Sequence, residues 1–97
     1  MYTATMRYHF KEGSFTEGCN AWKETVLAEA KGRTGLIRMQ WLEAKPRALA
    51  IGTWNDQSQA QAFMQTGVFK RLTAKLENLV TEKPEPELWS LEAFYQA

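Results

Sequence analysis

The sequence predicts an α+β fold of the ferredoxin-like type, a four-stranded antiparallel sheet under two helices in the order βαββαβ. Three observations carry this. Period-two alternation recurs in four short stretches, a single apolar helical stripe follows the first, and a second helical stretch separates the third from the fourth. At 97 residues the chain fits one domain, residues 1–97, with one core and no composition shift or low-complexity linker.

In the first strand, residues 2 to 10, Tyr2, Ala4, Met6, Tyr8 and Phe10 share one parity, while Thr3, Thr5, Arg7 and His9 share the other. Lys11, Glu12 and Gly13 turn the chain, and Ser14 with Glu17 has the spacing of a capping box. Phe15, Cys19, Trp22, Val26 and Ala30 then form one helical stripe, closed by Gly32 and Gly35. Residues 36 to 43 read as the second strand. Pro46 suits the entrance of the third, RALAIGTW.

Asn55 or Asp56 can cap the helix that follows, which reaches towards Thr81 but cannot be straight. Ala60, Phe63 and Met64 lie on one stripe, and Val68, Phe69, Leu72, Leu76, Leu79 and Val80 lie roughly 140° around the axis. Gly67 is the predicted break, with Thr66 capping the second piece. TEKPEPE reads as an extended connector and LWSLEAFY as the fourth strand.

Both helices belong on one face of such a sheet. Parity assigns Met6, Tyr8, Phe10, Ile37, Met39, Trp41, Leu49, Ile51, Trp89, Leu91 and Tyr95 to the helix side. It leaves Thr5, Arg7, His9, Leu36, Arg38, Gln40, Leu42, Ala48, Ala50, Trp54, Leu88, Ser90, Glu92 and Phe94 on the far side. That far face is more apolar than a wet sheet needs, so a homodimer through the open sheet face is expected, with Arg7 and Glu92 as partners.

Twelve basic and eleven acidic side chains, with no run of either sign, give no footprint for nucleic acid or an anionic membrane. No stretch has the length or apolarity of a signal peptide or a membrane span, and the single cysteine, Cys19, forms no internal disulfide; a cytoplasmic protein is expected. Gly13 and Gly18 have phosphate-loop spacing, but Cys19 and Asn20 stand where Lys and Ser or Thr are required. One His and one Cys do not make a metal site of the familiar N/S type, so neither metal nor other cofactor is expected. Cys19 reads as an apolar helix residue, and Arg7 and His9 as polar residues of the interface. The aromatic and methionine side chains between helix and sheet are core, unless the broken helix leaves a cavity among them, which would suit a small apolar or aromatic ligand.

The element order, the FKEG turn, the Trp of GTWND and the stretch AFMQTGVFKRL resemble the antibiotic biosynthesis monooxygenase family, whose members are dimeric α+β barrels. The resemblance implies a ligand held between sheet and helices. Many members oxidise aromatic or quinol-like substrates with dioxygen and no cofactor, while others degrade haem. Carried over position by position, it places Met6, Phe63 and Thr73 where haem-degrading members have Asn, Trp and the iron-ligating His, and Phe63 where quinol-oxidising members often carry His. Haem degradation is therefore not expected. The implied pocket contains Met6, Tyr8, Trp22, Trp41, Phe63, Thr73 and Trp89, with no side chain assigned as catalytic. The expected function is a cofactor-independent monooxygenase, the alternative being a non-catalytic ligand-binding or structural homodimer.

Overall fold

The computed structural model describes all 97 residues. Strand β1 (Tyr2–His9) leads through a turn into a continuous helical rod, made of α1 (Phe15–Trp22), a π-helical turn (Lys23–Leu27) and α2 (Ala28–Ala30). Strands β2 (Leu36–Ala44) and β3 (Arg47–Trp54) follow, then α3 (Gln57–Met64), α4 (Val68–Leu76) and β4 (Pro86–Ser90). The sheet is antiparallel throughout with strand order β2-β3-β1-β4, the ferredoxin-like arrangement. No helix is long and apolar enough to cross a membrane.

The helix break falls where the two apolar phases require it. Gly67 adopts φ 89°, a left-handed conformation that costs an L side chain energy and glycine nothing, and it caps α4. Thr66 bridges the gap, its hydroxyl donating to the carbonyl of Phe63 at 2.8 Å and accepting from the amide of Val68 at 3.4 Å. The two segments then bury both stripes, Ala60 and Phe63 from α3 and Val68, Leu72 and Leu76 from α4. Asp56 caps α3, accepting from the amide of Gln59 at 2.9 Å. Hydrogen bonds from Ser58 and Gln59 hold its carboxyl below the usual aspartate range.

Several expectations are corrected. Ser14 caps α1 without a side-chain hydrogen bond, so the capping box with Glu17 does not form. The second helix stops at Leu76, and Val80 instead forms a bridge with Phe10. The last strand begins at Pro86 rather than Leu88 and ends at Ser90: Pro86 lies on an edge strand, where a missing amide donor is tolerated.

The parity of β3 is reversed. Met6 pairs with Ala50, Tyr8 with Ala48 and Trp41 with Ala50, so Ala48, Ala50, Gly52 and Trp54 face the helices while Leu49 and Ile51 face outward. Large aromatic rings occupy the space above β3, leaving room there only for small side chains. A bulge between Leu36 and Arg38 turns Leu36 inward against the core and leaves Ile37 46% exposed. Trp89, expected on the helix side, pairs with Thr3 and donates its indole N–H to Thr5 Oγ1 at 3.0 Å on the open face; Leu88 faces the helix side opposite Ala4. Leu91 and Tyr95 lie beyond the last strand: Leu91 borders a hollow with Ile37 and Ile51, and Tyr95 is 90% exposed. Arg7 pairs with Glu87 at 3.5 Å rather than with Glu92, whose carboxylate accepts from the hydroxyl of Ser90.

Candidate functional site

Seven aromatic side chains and Met6 fill the space between sheet and helices. Trp22, on the helical rod just before its π-turn, stacks on Trp41 of β2 with ring centroids 4.6 Å apart and planes 23° apart. Tyr8 lies 5.2 Å from Trp41 and is stacked with Phe10 at 6.0 Å. On the other flank Trp54 meets Phe63 at 5.2 Å, and Phe63 meets Phe69 edge-on at 5.9 Å. Met6 separates the two groups, its thioether accepting from the hydroxyl of Tyr8 at 3.0 Å. Such offset and edge contacts are each worth about 0.5–1.5 kcal/mol beyond area burial.

Two spaces adjoin this cluster. An outer cleft of about 730 Å³ runs between β1, α4 and the segment from Val80 to Pro84; Met6, Tyr8, Phe69 and Thr73 border it, with Lys70, Glu77, Glu82 and Lys83 around it. A smaller chamber of about 40 Å³, itself partly open, lies beside it, bordered by Met6, Tyr8, Trp22, Gly52, Trp54, Phe63 and Phe69 among others. Met6, Tyr8 and Phe69 belong to both walls and form the partition.

Of the predicted site residues, Met6, Tyr8 and Thr73 therefore border the cleft, while Trp22 and Phe63 border only the chamber. Trp41 supports the partition from behind, through Tyr8 and Trp22, and Trp89 is remote on the opposite face of the sheet. Sequence reading missed Phe69, although its place two residues after Gly67 and on the α4 stripe could have identified it, and it missed Gly52, for which only the register provides a signal.

The polar chemistry is sparse. Tyr8 is 1% exposed, and burial raises its phenol well above the ordinary tyrosine value, so at neutral pH it is a hydrogen-bond donor and not a base. The indole N–H of Trp22, also 1% exposed, has no acceptor. A buried donor left unpaired costs about 1–3 kcal/mol. Cys19 is buried beside Trp41 and Glu43, and its thiol is pushed up mainly by burial, an inert state. No three His, Cys, Asp or Glu side chains converge to hold a metal ion. His9 lies outside the cleft, its Nδ1 3.2 Å from Glu82 Oε1.

The fold and the space between its layers define a ferredoxin-like protein of the α+β kind adopted by antibiotic biosynthesis monooxygenases. One solved antibiotic biosynthesis monooxygenase superposes with a TM-score of 0.79 at 12% identity, over 96% of this chain and 100% of that one. SnoaB, a cofactor-independent oxygenase from Streptomyces nogalater, superposes with a TM-score of 0.76 at 19% identity, over 96% and 94% of the two chains. A Nitrosomonas europaea protein of unknown function gives 0.81 at 19% identity, over 99% and 94%. No protein-family model and no curated protein matches the sequence. At these identities it is the fold that is shared.

Proposed function

We propose that the protein is a cofactor-independent oxygenase that takes a phenol- or quinol-like aromatic substrate in the outer cleft. The observation that carries this is the junction of two spaces at Met6, Tyr8 and Phe69: a cleft of about 730 Å³ has room for an aromatic molecule, and it meets a small space lined mainly by apolar side chains. The fold shared with SnoaB supports the same reading.

The overall reaction needs no external reductant. A phenol ring C–H and its hydroxyl are converted to a quinone, one oxygen atom of dioxygen enters the ring as the second carbonyl, and the other leaves as water. The substrate supplies all four electrons. It must first lose its phenolic proton, to Glu77 or Glu82 at the cleft or to the solvent that reaches it, because the phenolate is the electron donor. Lys70 and Lys83 can pair with the anion, although Glu77 and Glu82 border the same cleft and balance their charge, and the neutral hydroxyl of Tyr8 can donate to it once freed from Met6. Phe69 and Met6 exclude water from the reacting face.

The donor set does not suit a haem-degrading function. Thr73 offers the cleft a hydroxyl where an iron ligand would be an imidazole, and the one histidine lies outside the cleft. A second reading, ligand binding without turnover, is favoured by one observation: the buried phenol closest to the cleft holds its proton too tightly to act as a base.

The proposal includes a homodimer through the open sheet face. Leu42, Trp89 and Ile37 are 47%, 50% and 46% exposed there, beside half-buried Leu49 and Ile51, an apolar surface that supports this reading.

The test is oxygen uptake with a panel of quinols and polyphenols, followed by Phe69→Ala and Thr73→Ala. Uptake above buffer for at least one phenol, weakened by Phe69→Ala, is expected. Uptake at the buffer rate across the whole panel removes the enzymatic reading.

A further inference from the structure

The inner chamber calls for an occupant of its own. At about 40 Å³ it exceeds the ~10–15 Å³ that one water requires, and it is far smaller than the ~150 Å³ of a protein cavity that accepts benzene. It holds something the size of two or three heavy atoms. Water is poorly suited, because a buried water needs two to four polar partners and 11 of the 14 bordering residues are hydrophobic.

Two indole donors stand among the residues at this space. The indole N–H of Trp22 is a buried donor without an acceptor. The indole Nε1 of Trp54 lies 3.3 Å from the point where a Cβ on Gly52 would stand, so it too borders the space left by that glycine. The same point is 3.2 Å from Met39 Cε and 3.3 Å from its sulfur, so a side chain at position 52 would press on Met39 and Trp54, which border the same space. The thioether of Met6 is already engaged by Tyr8. An apolar space with donors and hardly an acceptor suits a small neutral molecule that becomes negatively charged during reaction.

The geometry points to a dioxygen site in this chamber, separate from the organic substrate's cleft and joined to it across Met6, Tyr8 and Phe69. Dioxygen is small and apolar and partitions into such a space. When a phenolate in the cleft transfers one electron, it becomes a phenoxyl radical and dioxygen becomes superoxide; the donor assigned to its charge is the unpaired indole N–H of Trp22, a residue that borders the chamber. The assignment of dioxygen rests on the oxygenase reading, whereas the chamber's affinity for a small apolar guest does not.

Xenon is the probe that separates the two. Crystals of the whole protein under xenon pressure are expected to show one atom among Trp22, Gly52, Trp54 and Phe63, lost in Gly52→Ala; Ala4→Val, which narrows the same space from β1, is the second variant should the first not fold. In oxygen-uptake assays either variant is expected to raise KM for dioxygen about fivefold or more and leave KM for the phenol unchanged. Xenon absent from the chamber, an ordered water on Trp22 Nε1, or a variant that changes KM for the phenol and not for dioxygen would overturn the assignment. Xenon in the chamber of a protein that oxidises no phenol would confirm the guest site, and it would refute both its use for dioxygen and the oxygenase reading.

Discussion

Trp22 and Trp41 lie face to face, their ring centroids 4.6 Å apart, and join the first helical rod to a strand near the sheet edge. Tyr8 of β1 leans on Trp41 across the small residues of β3, so the partition between cleft and chamber is held from behind by an indole pair. This coupling is measurable. A double-mutant cycle of Trp22→Leu and Trp41→Leu should give a coupling of about 0.5–1.5 kcal/mol in chemical denaturation. The near-ultraviolet circular dichroism of the stacked pair should collapse in either single variant; additive losses with an unchanged spectrum would show that the stack carries no energy.

Gly67 and Gly18 resist substitution for different reasons. A Cβ on Gly67 meets nothing within 4 Å, so Gly67→Ala should cost only the left-handed conformation, about 1–2 kcal/mol. A Cβ on Gly18 would overlap the ring of Phe10, so Gly18→Ala should cost about 1–3 kcal/mol through overpacking. Phe10→Leu should relieve part of the second loss and none of the first. Thermal melts of the three single and two double variants decide this.

Tyr8 links stability to alkaline pH. Its pKa in the folded protein lies above the ordinary 10.0, so above about pH 10 the unfolded chain gives up a proton that the native state keeps. Stability contributed by Tyr8 is complete below that pH and falls as pH rises towards the folded value. Tyr8→Phe should therefore flatten the alkaline limb of a stability-versus-pH curve and leave its slope near pH 7 unchanged. An alkaline limb identical in both proteins would place the titration elsewhere.

Haem should bind weakly. With Thr73 in the cleft where the resemblance to haem-degrading proteins would require an iron-ligating His, and His9 outside the cleft, titration with haem should give no saturating, one-to-one shift of the Soret band. Thr73→His is the informative variant, expected to introduce such a shift. A tight stoichiometric shift in the unmodified protein would contradict the reading of Thr73.

The open face predicts its own disruption. Leu49→Arg puts a charge at the middle of a surface that also contains Leu42 and Trp89, and it touches neither the cleft nor the chamber. Sedimentation at micromolar concentration should show a dimer for the unmodified protein and a monomer for this variant. A monomer for both would remove the dimer from the proposal.

Much of the site was legible in the chain itself. Gly67, Phe63 and Leu72 show a helix that must break, since two apolar stripes cannot share one straight axis. Met6 and Tyr8 alternate cleanly with Thr5 and Arg7, so their face needed no structure. Trp89 was misplaced because the strand carrying it is short and edge-bound, with no buried partner to reveal its phase.

What the sequence determined by itself is the order of elements, the break at Gly67 and the wealth of aromatic side chains for one core. The outcome on β3 belonged to the tertiary structure. Ala48, Leu49, Ala50 and Ile51 are apolar at every position, so hydrophobic alternation is silent about which pair turns inward. Pairing with Tyr8, Met6 and Trp41 decides it, because the rings stacked above the strand leave space for alanine and glycine and none for leucine or isoleucine. That choice opens the chamber at Gly52 and sends Leu49 and Ile51 to the outer face.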